Sequence, residues 1–218
     1  MEPKKFAVVL SGSGVFDGSE IHEATLSMYY IQKQGAEYSV FAPDIDQHHV
    51  INHITGEEMD EKRNVLIESA RIARGHIQPL SEFNADDFDV IFFPGGFGAA
   101  KNLSSFAFDG ADCKVNPDVE RAVKAMHQAG KPIAALCISP VFIAKILKDV
   151  QLTIGQDKDT IDALVKMGAD HKQTDHGEVV IDTQNNVFTT PCYMLDANIM
   201  QIGEGAENIV RAILKSIV

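Results

Sequence analysis

Apolar positions along the chain fall into short unbroken runs, separated by longer stretches that carry a helical period. Phe6 to Leu10 is the first such run. It is bounded by Ser11-Gly12-Ser13-Gly14 and reads as a buried strand entering a glycine loop. A helix is expected from about His22 to Gln34, stopped by Gly35, and Tyr38 to Ala42 gives a second strand closed by Pro43. The first unit is therefore βαβ. Gln47 to Gly56 shows no clear period, and helix resumes around Asn64 to Ala73, with Val65, Ile67, Ala70 and Ile72 partly on one face. Asp89 to Phe93 is a third strand, ending in Pro94-Gly95-Gly96-Phe97-Gly98; from there to Asn116 loop is expected, with a short helix.

A helix from Pro117 to Gln128, stopped by Gly130, leads into a strand from Ile133 to Leu136, then Cys137 and a helix through Val141 to Leu147. The remainder predicts a strand near Leu152 to Ile154, a helix from about Thr160 to Met167, two strands around Asn185-Asn186, and a final helix from Ala197 towards Val218. With no linker, repeat or low-complexity tract, residues 1–218 are expected to form a single domain. Strands alternating with helices imply an α/β fold, a three-layer flavodoxin-like sandwich whose mostly parallel sheet is covered on both faces. Ligands bind such sheets beyond the carboxyl ends of the strands. The loops after Leu10, Phe93 and Leu136 share that edge if their strands are parallel neighbours.

Composition narrows the function. Hydrophobic residues make up 45% and charged residues 23%, enough to build a core, and the formal net charge is -12 with no basic stripe to follow a phosphate backbone. Nucleic acid is not an expected partner. No segment is long and apolar enough for a membrane span, and nothing in the N-terminal residues directs export, so no membrane association is expected. The three cysteines, Cys113, Cys137 and Cys192, have no zinc or redox spacing and read as free thiols of a reducing compartment, with the cytoplasm expected. The eight histidines show no metal spacing, so neither a metal nor a cofactor is expected.

Cys137 stands where a buried strand turns sharply into a helix, with Ala135 and Ser139 as the small neighbours such an elbow needs. Free N–H groups at the helix start are expected to lower its pKa and to bind an oxyanion, although a buried structural cysteine is an equally good reading of the local sequence. Gly95-Gly96 can expose backbone N–H groups as the second half of an oxyanion hole, or simply end a strand. The loop from Ser11 to Glu20 fails the dinucleotide fingerprint, because Asp17 occupies the third glycine position. Glu23, in the first turn of the following helix, could exchange a proton with a thiol at the neighbouring strand end, or serve only as a dipole partner.

Together these segments resemble the DJ-1/PfpI superfamily, which shares its fold with class I glutamine amidotransferase domains. The closer resemblance is to its ElbB and mitochondrial ES1 subgroup, also called enhancing lycopene biosynthesis protein 2 or sigma cross-reacting protein. It is carried by Leu10-Ser-Gly-Ser-Gly-Val-Phe-Asp-Gly-Ser-Glu-Ile-His-Glu-Ala24, Arg63-Asn-Val-Leu-Ile-Glu-Ser-Ala-Arg-Ile-Ala-Arg-Gly75 and Pro94-Gly-Gly-Phe-Gly-Ala-Ala-Lys-Asn-Leu103, with His127-Gln-Ala-Gly-Lys-Pro132 and Thr189-Thr-Pro191. The resemblance implies a reactive Cys137 partnered by Glu23, an oxyanion and substrate-binding set of Gly95, Gly96, Phe97 and Ile138, and homodimers. It also implies a cofactor-independent glyoxalase activity on a small aldehyde or dicarbonyl, glyoxal becoming glycolate through a cysteine hemithioacetal. The alternatives are a redox-responsive regulatory protein and an amidotransferase-like accessory protein of isoprenoid biosynthesis. Ile138 stands where the protease-like and chaperone-like branches carry histidine, which disfavours protease activity. Of two possible late His-x-Glu matches only His176-Gly-Glu178 is formally correct, and its position beside a predicted hairpin argues against a glutaminase.

Overall fold

The computed structural model describes residues 2–217. The opening apolar run forms strand β1 (Lys5–Val9), followed by helix α1 (Ile21–Lys33) and strand β2 (Glu37–Ala42). Helix α2 (Val65–Ile72), strands β3 (Ile77–Pro79) and β4 (Val90–Phe93), and two short helices, α3 (Phe97–Lys101) and α4 (Phe106–Asp109), come next. Then follow α5 (Pro117–Gln128), β5 (Ile133–Leu136), α6 (Pro140–Leu147), β6 (Gln151–Leu152), α7 (Lys158–Lys166) and β7 (Asp170–His171). Strands β8 (Val180–Asp182) and β9 (Val187–Thr190) and the long helix α8 (Ile199–Ser216) complete the chain.

Seven strands form one sheet in the order β3-β2-β1-β4-β5-β9-β8, parallel throughout except where β8 pairs antiparallel with β9. The unbroken apolar runs follow from burial on both faces. Along β1 and β4, Ala7, Val9, Ile91 and Phe93 join the core cluster shared with Val119, Val123 and Met126 of α5. Their alternating neighbours Phe6, Val8, Val90 and Phe92 join the opposite cluster with Ala24 and Ile31 of α1 and Ile202 and Ile209 of α8. Helix limits follow capping chemistry: Asn116 accepts from two first-turn N–H groups ahead of Pro117, and Asn198 opens α8 with a reciprocal capping box. The strand order reverses between β1 and β4, so the connections leaving these strands diverge and open a crevice beyond their carboxyl ends.

Several elements differ from the sequence reading: the two-residue strand β7 was not predicted, and two short helices, α3 and α4, stand where one was expected. Strand β3 was not predicted: it has only three residues on the sheet edge, after a turn with positive φ at Arg74 and Gly75, too short to show a period. The strand predicted near Leu152 to Ile154 reaches only Leu152 and pairs with β7 in a separate small sheet. Side chains take over the ladder beyond it, since the Thr153 N–H donates to Thr189 Oγ1 (2.9 Å) and the Ile154 N–H to His171 Nε2 (3.2 Å).

Candidate active site

Adjacent parallel strands β1, β4 and β5 bring three loops to one edge, as the spacing of apolar runs predicts. The first, residues 11–20, threads against the start of α3. The Phe97 N–H donates to Val15 O (2.7 Å), Gly98 N–H to Gly18 O (2.8 Å), and Glu20 N–H to Gly95 O (2.9 Å). A side chain on Gly96, at φ 99°, would overlap the Gly18 and Glu20 backbone, so glycine is required for this contact. Asn102 ties the assembly from beneath: its amide donates to Ser11 O and Asp17 O (2.9 Å each) and its carbonyl oxygen accepts from His48 N–H (3.0 Å).

Cys137 directly follows β5 and has φ 58°, a left-handed conformation in a non-glycine residue. The turn is over-determined, as such strain requires. The Cys137 N–H donates to Thr190 O (3.0 Å), extending the pairing of β5 with β9; the Ser139 N–H donates to Leu136 O (2.9 Å); and the Ser139 hydroxyl donates to Pro94 O (2.8 Å). This last bond pins the elbow to the end of β4. The backbone N–H groups of Gly96 and Ile138 lie near enough to the Cys137 sulfur to favour its charged form, and the Glu23 carboxyl lies beside the thiol across Gly95.

Glu23 is fully buried under the elbow. Its Oε2 accepts from Gly95 N–H at 2.8 Å and its Oε1 from Tyr193 N–H at 3.3 Å, while its own N–H donates to Glu20 Oε2 at 2.7 Å. Gly95 N–H, expected to face an oxyanion, therefore orients the acid instead. The Gly96 and Ile138 N–H groups lie near the Cys137 sulfur, and the exposed Phe97 has its ring beside Lys101. Desolvation, reinforced by the charge of Glu20, raises the Glu23 pKa from 4.5 to about 8.

Expected thiol acidification is reversed. Burial first, and then the charge of Glu23, push the Cys137 pKa well above its ordinary value, outweighing the Gly96 and Ile138 N–H groups that pull it down. Helix α6 starts only at Pro140, so its free N–H groups do not offset removal of the thiol from water. The two residues form a coupled pair in which the carboxyl is the first to lose a proton.

The sequence singled out neither Tyr193 nor Glu20 for these roles: the Tyr193 contact spans 170 residues and forms only in the fold, whereas Glu20 makes a local N-cap bond three residues away that its neighbours could have signalled. Cys192, at φ 44°, packs in the same core cluster as Cys137, and its thiol is likewise raised by burial and by the charge of Glu23. Histidines serve elsewhere. His22 Nδ1 pairs with the Tyr193 hydroxyl (2.8 Å), His53 bridges Phe16 N and Ile51 O, and His127 meets Asn185. Among the described residues no cluster of three or more His, Cys, Asp or Glu side chains is placed to hold a metal, and no helix is long and apolar enough to cross a membrane.

The human protein called glutamine amidotransferase-like class 1 domain-containing protein 3, mitochondrial, is 47% identical over 97% of this chain and 82% of its own length. The rat ES1 protein homolog, mitochondrial, is 46% identical over 97% of this chain and 83% of its own. Among solved structures, the isoprenoid biosynthesis protein with amidotransferase-like domain from Ehrlichia chaffeensis shares 35% identity, covering 99% of this chain and all (100%) of that one, with a TM-score of 0.93. The mitochondrial relatives overturn the cytoplasmic expectation. Acidic charge and unpaired thiols suit any reducing compartment and carry no address, so they could not select one. Residues 13–190 match the DJ-1/PfpI family, and with these relatives the match establishes that the chain belongs to it.

Proposed function

We propose that this protein is a cofactor-independent glyoxalase-type enzyme in which Cys137 adds to the aldehyde carbon of a small 2-oxoaldehyde and Glu23 moves the protons. One observation carries the reading: a strained elbow cysteine beside a fully buried carboxyl whose pKa lies near 8, with two backbone N–H groups near the sulfur. A general acid–base works best near the operating pH, which burial achieves for Glu23.

The reactive form of the pair holds one proton. Glu23 carboxylate takes the thiol proton as sulfur bonds to the aldehyde carbon, then returns it to the new alkoxide, giving the hemithioacetal. The Gly96 and Ile138 N–H groups, which lie near the sulfur, are the donors this reading gives to the developing oxyanion. The carboxylate next removes the hydrogen on C1, and the resulting enediolate is protonated by Glu23 at C2 while the hydroxyl proton passes from O1 to O2. A thioester of a 2-hydroxy acid results. Glu23 then deprotonates water, hydroxide attacks the thioester, and the departing sulfur recovers its proton. The net change is addition of one water to the 2-oxoaldehyde, so glyoxal yields glycolate without an external oxidant.

A peroxide-sensing role is less well supported, because the thiol is only 6% exposed and its raised pKa leaves little thiolate. The test is glyoxal turnover in wild-type and Cys137→Ala protein. Loss of turnover in the variant is expected, and retained turnover would falsify the assignment.

A further inference from the structure

Above Cys137 and Ile138 lies a cavity of about 430 Å³. This is far more space than two carbons need, and it falls within the usual size of sites that bury a drug-sized ligand. Its walls are chiefly Val15, Phe97, Ala100, Phe106, Ala107 and Met194. No Lys or Arg lines it. Lys101, the cation on the Phe97 ring, is held by Phe16 O at 2.9 Å. The one carboxylate in the lining, Asp157, sits at the start of α7, where Thr160 donates to it from both its backbone N–H (2.9 Å) and its hydroxyl (2.6 Å) and holds it ionised. An anionic substrate would meet apolar walls and a like charge, with no cation to compensate.

Resting on the enzyme reading above, we infer that the preferred substrates are uncharged 2-oxoaldehydes carrying a bulky apolar group on C2. The aldehyde sits at Cys137, and the substituent packs between Phe97, Phe106 and Met194, displacing water from apolar surface. The same features favour release, since the product is a 2-hydroxy carboxylate in a cavity whose only formal charge is negative. Phosphorylated and carboxylated aldehydes are disfavoured for the same reason.

The experiment compares kcat/KM for phenylglyoxal, glyoxal and 4-carboxyphenylglyoxal, a charged aldehyde with the same reactive centre, with calorimetric binding of acetophenone to the Cys137→Ala protein as a readout free of turnover. Phenylglyoxal is expected to exceed glyoxal tenfold or more, through a lower KM, with 4-carboxyphenylglyoxal at least tenfold below phenylglyoxal and acetophenone bound. Ala107→Phe fills the cavity from an exposed position and is expected to lower the phenylglyoxal-to-glyoxal ratio at least tenfold. Cys137-dependent turnover without a preference for phenylglyoxal, or an unchanged ratio in Ala107→Phe, overturns the substrate inference and leaves the enzyme reading standing. Absence of Cys137-dependent turnover of all three aldehydes overturns both, whether or not acetophenone binds.

Discussion

Residue chemistry at the site turns on one proton shared by two buried groups. Glu23 loses its proton near pH 8 and Cys137 well above its ordinary range, so the one-proton form becomes populated as pH rises through about 8. Glyoxal kcat/KM is expected to climb roughly tenfold per pH unit below that value and then level off, as a single ionisation demands. A profile already flat from pH 6 to 8 would contradict the role given to the pair. Glu23→Gln keeps the shape and an acceptor for Gly95 N–H but cannot carry a proton. It should lower turnover by about 10²–10⁴-fold, the usual contribution of a positioned acid–base, and the rise near pH 8 should disappear from whatever activity is left.

At the scale of elements, the site depends on how closely the glycine loop, the start of α3 and the elbow approach one another. A Cβ on Gly95 would overlap Cys137 Cβ and lie 2.7 Å from Glu23 Oε2 and 2.9 Å from Cys137 Sγ. Gly95→Ala must therefore push the pair apart, and a displacement of about 1 Å typically costs ~10²-fold in rate; circular dichroism should show the secondary structure retained while kcat falls. Asn102→Ala removes three hydrogen bonds, two that hold the glycine loop from below and one from His48 N–H. Buried groups left unpaired make this worth about 2–3 kcal/mol, to be measured as a lower urea midpoint accompanied by loss of turnover. These two positions also show how far local sequence can be read. The Gly95-Gly96 pair signals a tight turn on its own, whereas nothing around Asn102 announces that its amide reaches back 91 residues to Ser11.

For the molecule as a whole, the buried acid makes stability depend on pH. In the unfolded chain Glu23 ionises near 4.5, and in the fold it keeps its proton until about 8. Between these values the folded state binds more protons, so its stability falls as pH rises. Glu23→Gln, which has no charge to bury, is expected to be the more stable protein at pH 8 by roughly 4 kcal/mol, seen as a higher Tm, with the advantage vanishing near pH 4.5. Equal pH dependence of Tm in the two proteins would show that Glu23 is not the group responsible. Under the proposed function this is stability given up for a poised acid–base, a trade common at active sites.

Short apolar strands between amphipathic helices were enough to indicate a covered parallel sheet, and the small residues around Cys137 were enough to indicate an elbow, because both are local consequences of backbone geometry and burial. The three loops could be assigned to one edge because parallel crossovers return each strand in the same direction. Tertiary structure alone decided the protonation of Cys137. Its helix-start context argued for a lowered pKa, and only the burial of the thiol beside Glu23 reverses the sign. The fold likewise redirects Gly95 N–H to Glu23 and brings Tyr193 N–H to the same carboxyl. Desolvation and hydrogen-bond pairing depend on what surrounds an atom in space, and residues far apart in the chain supply those surroundings here.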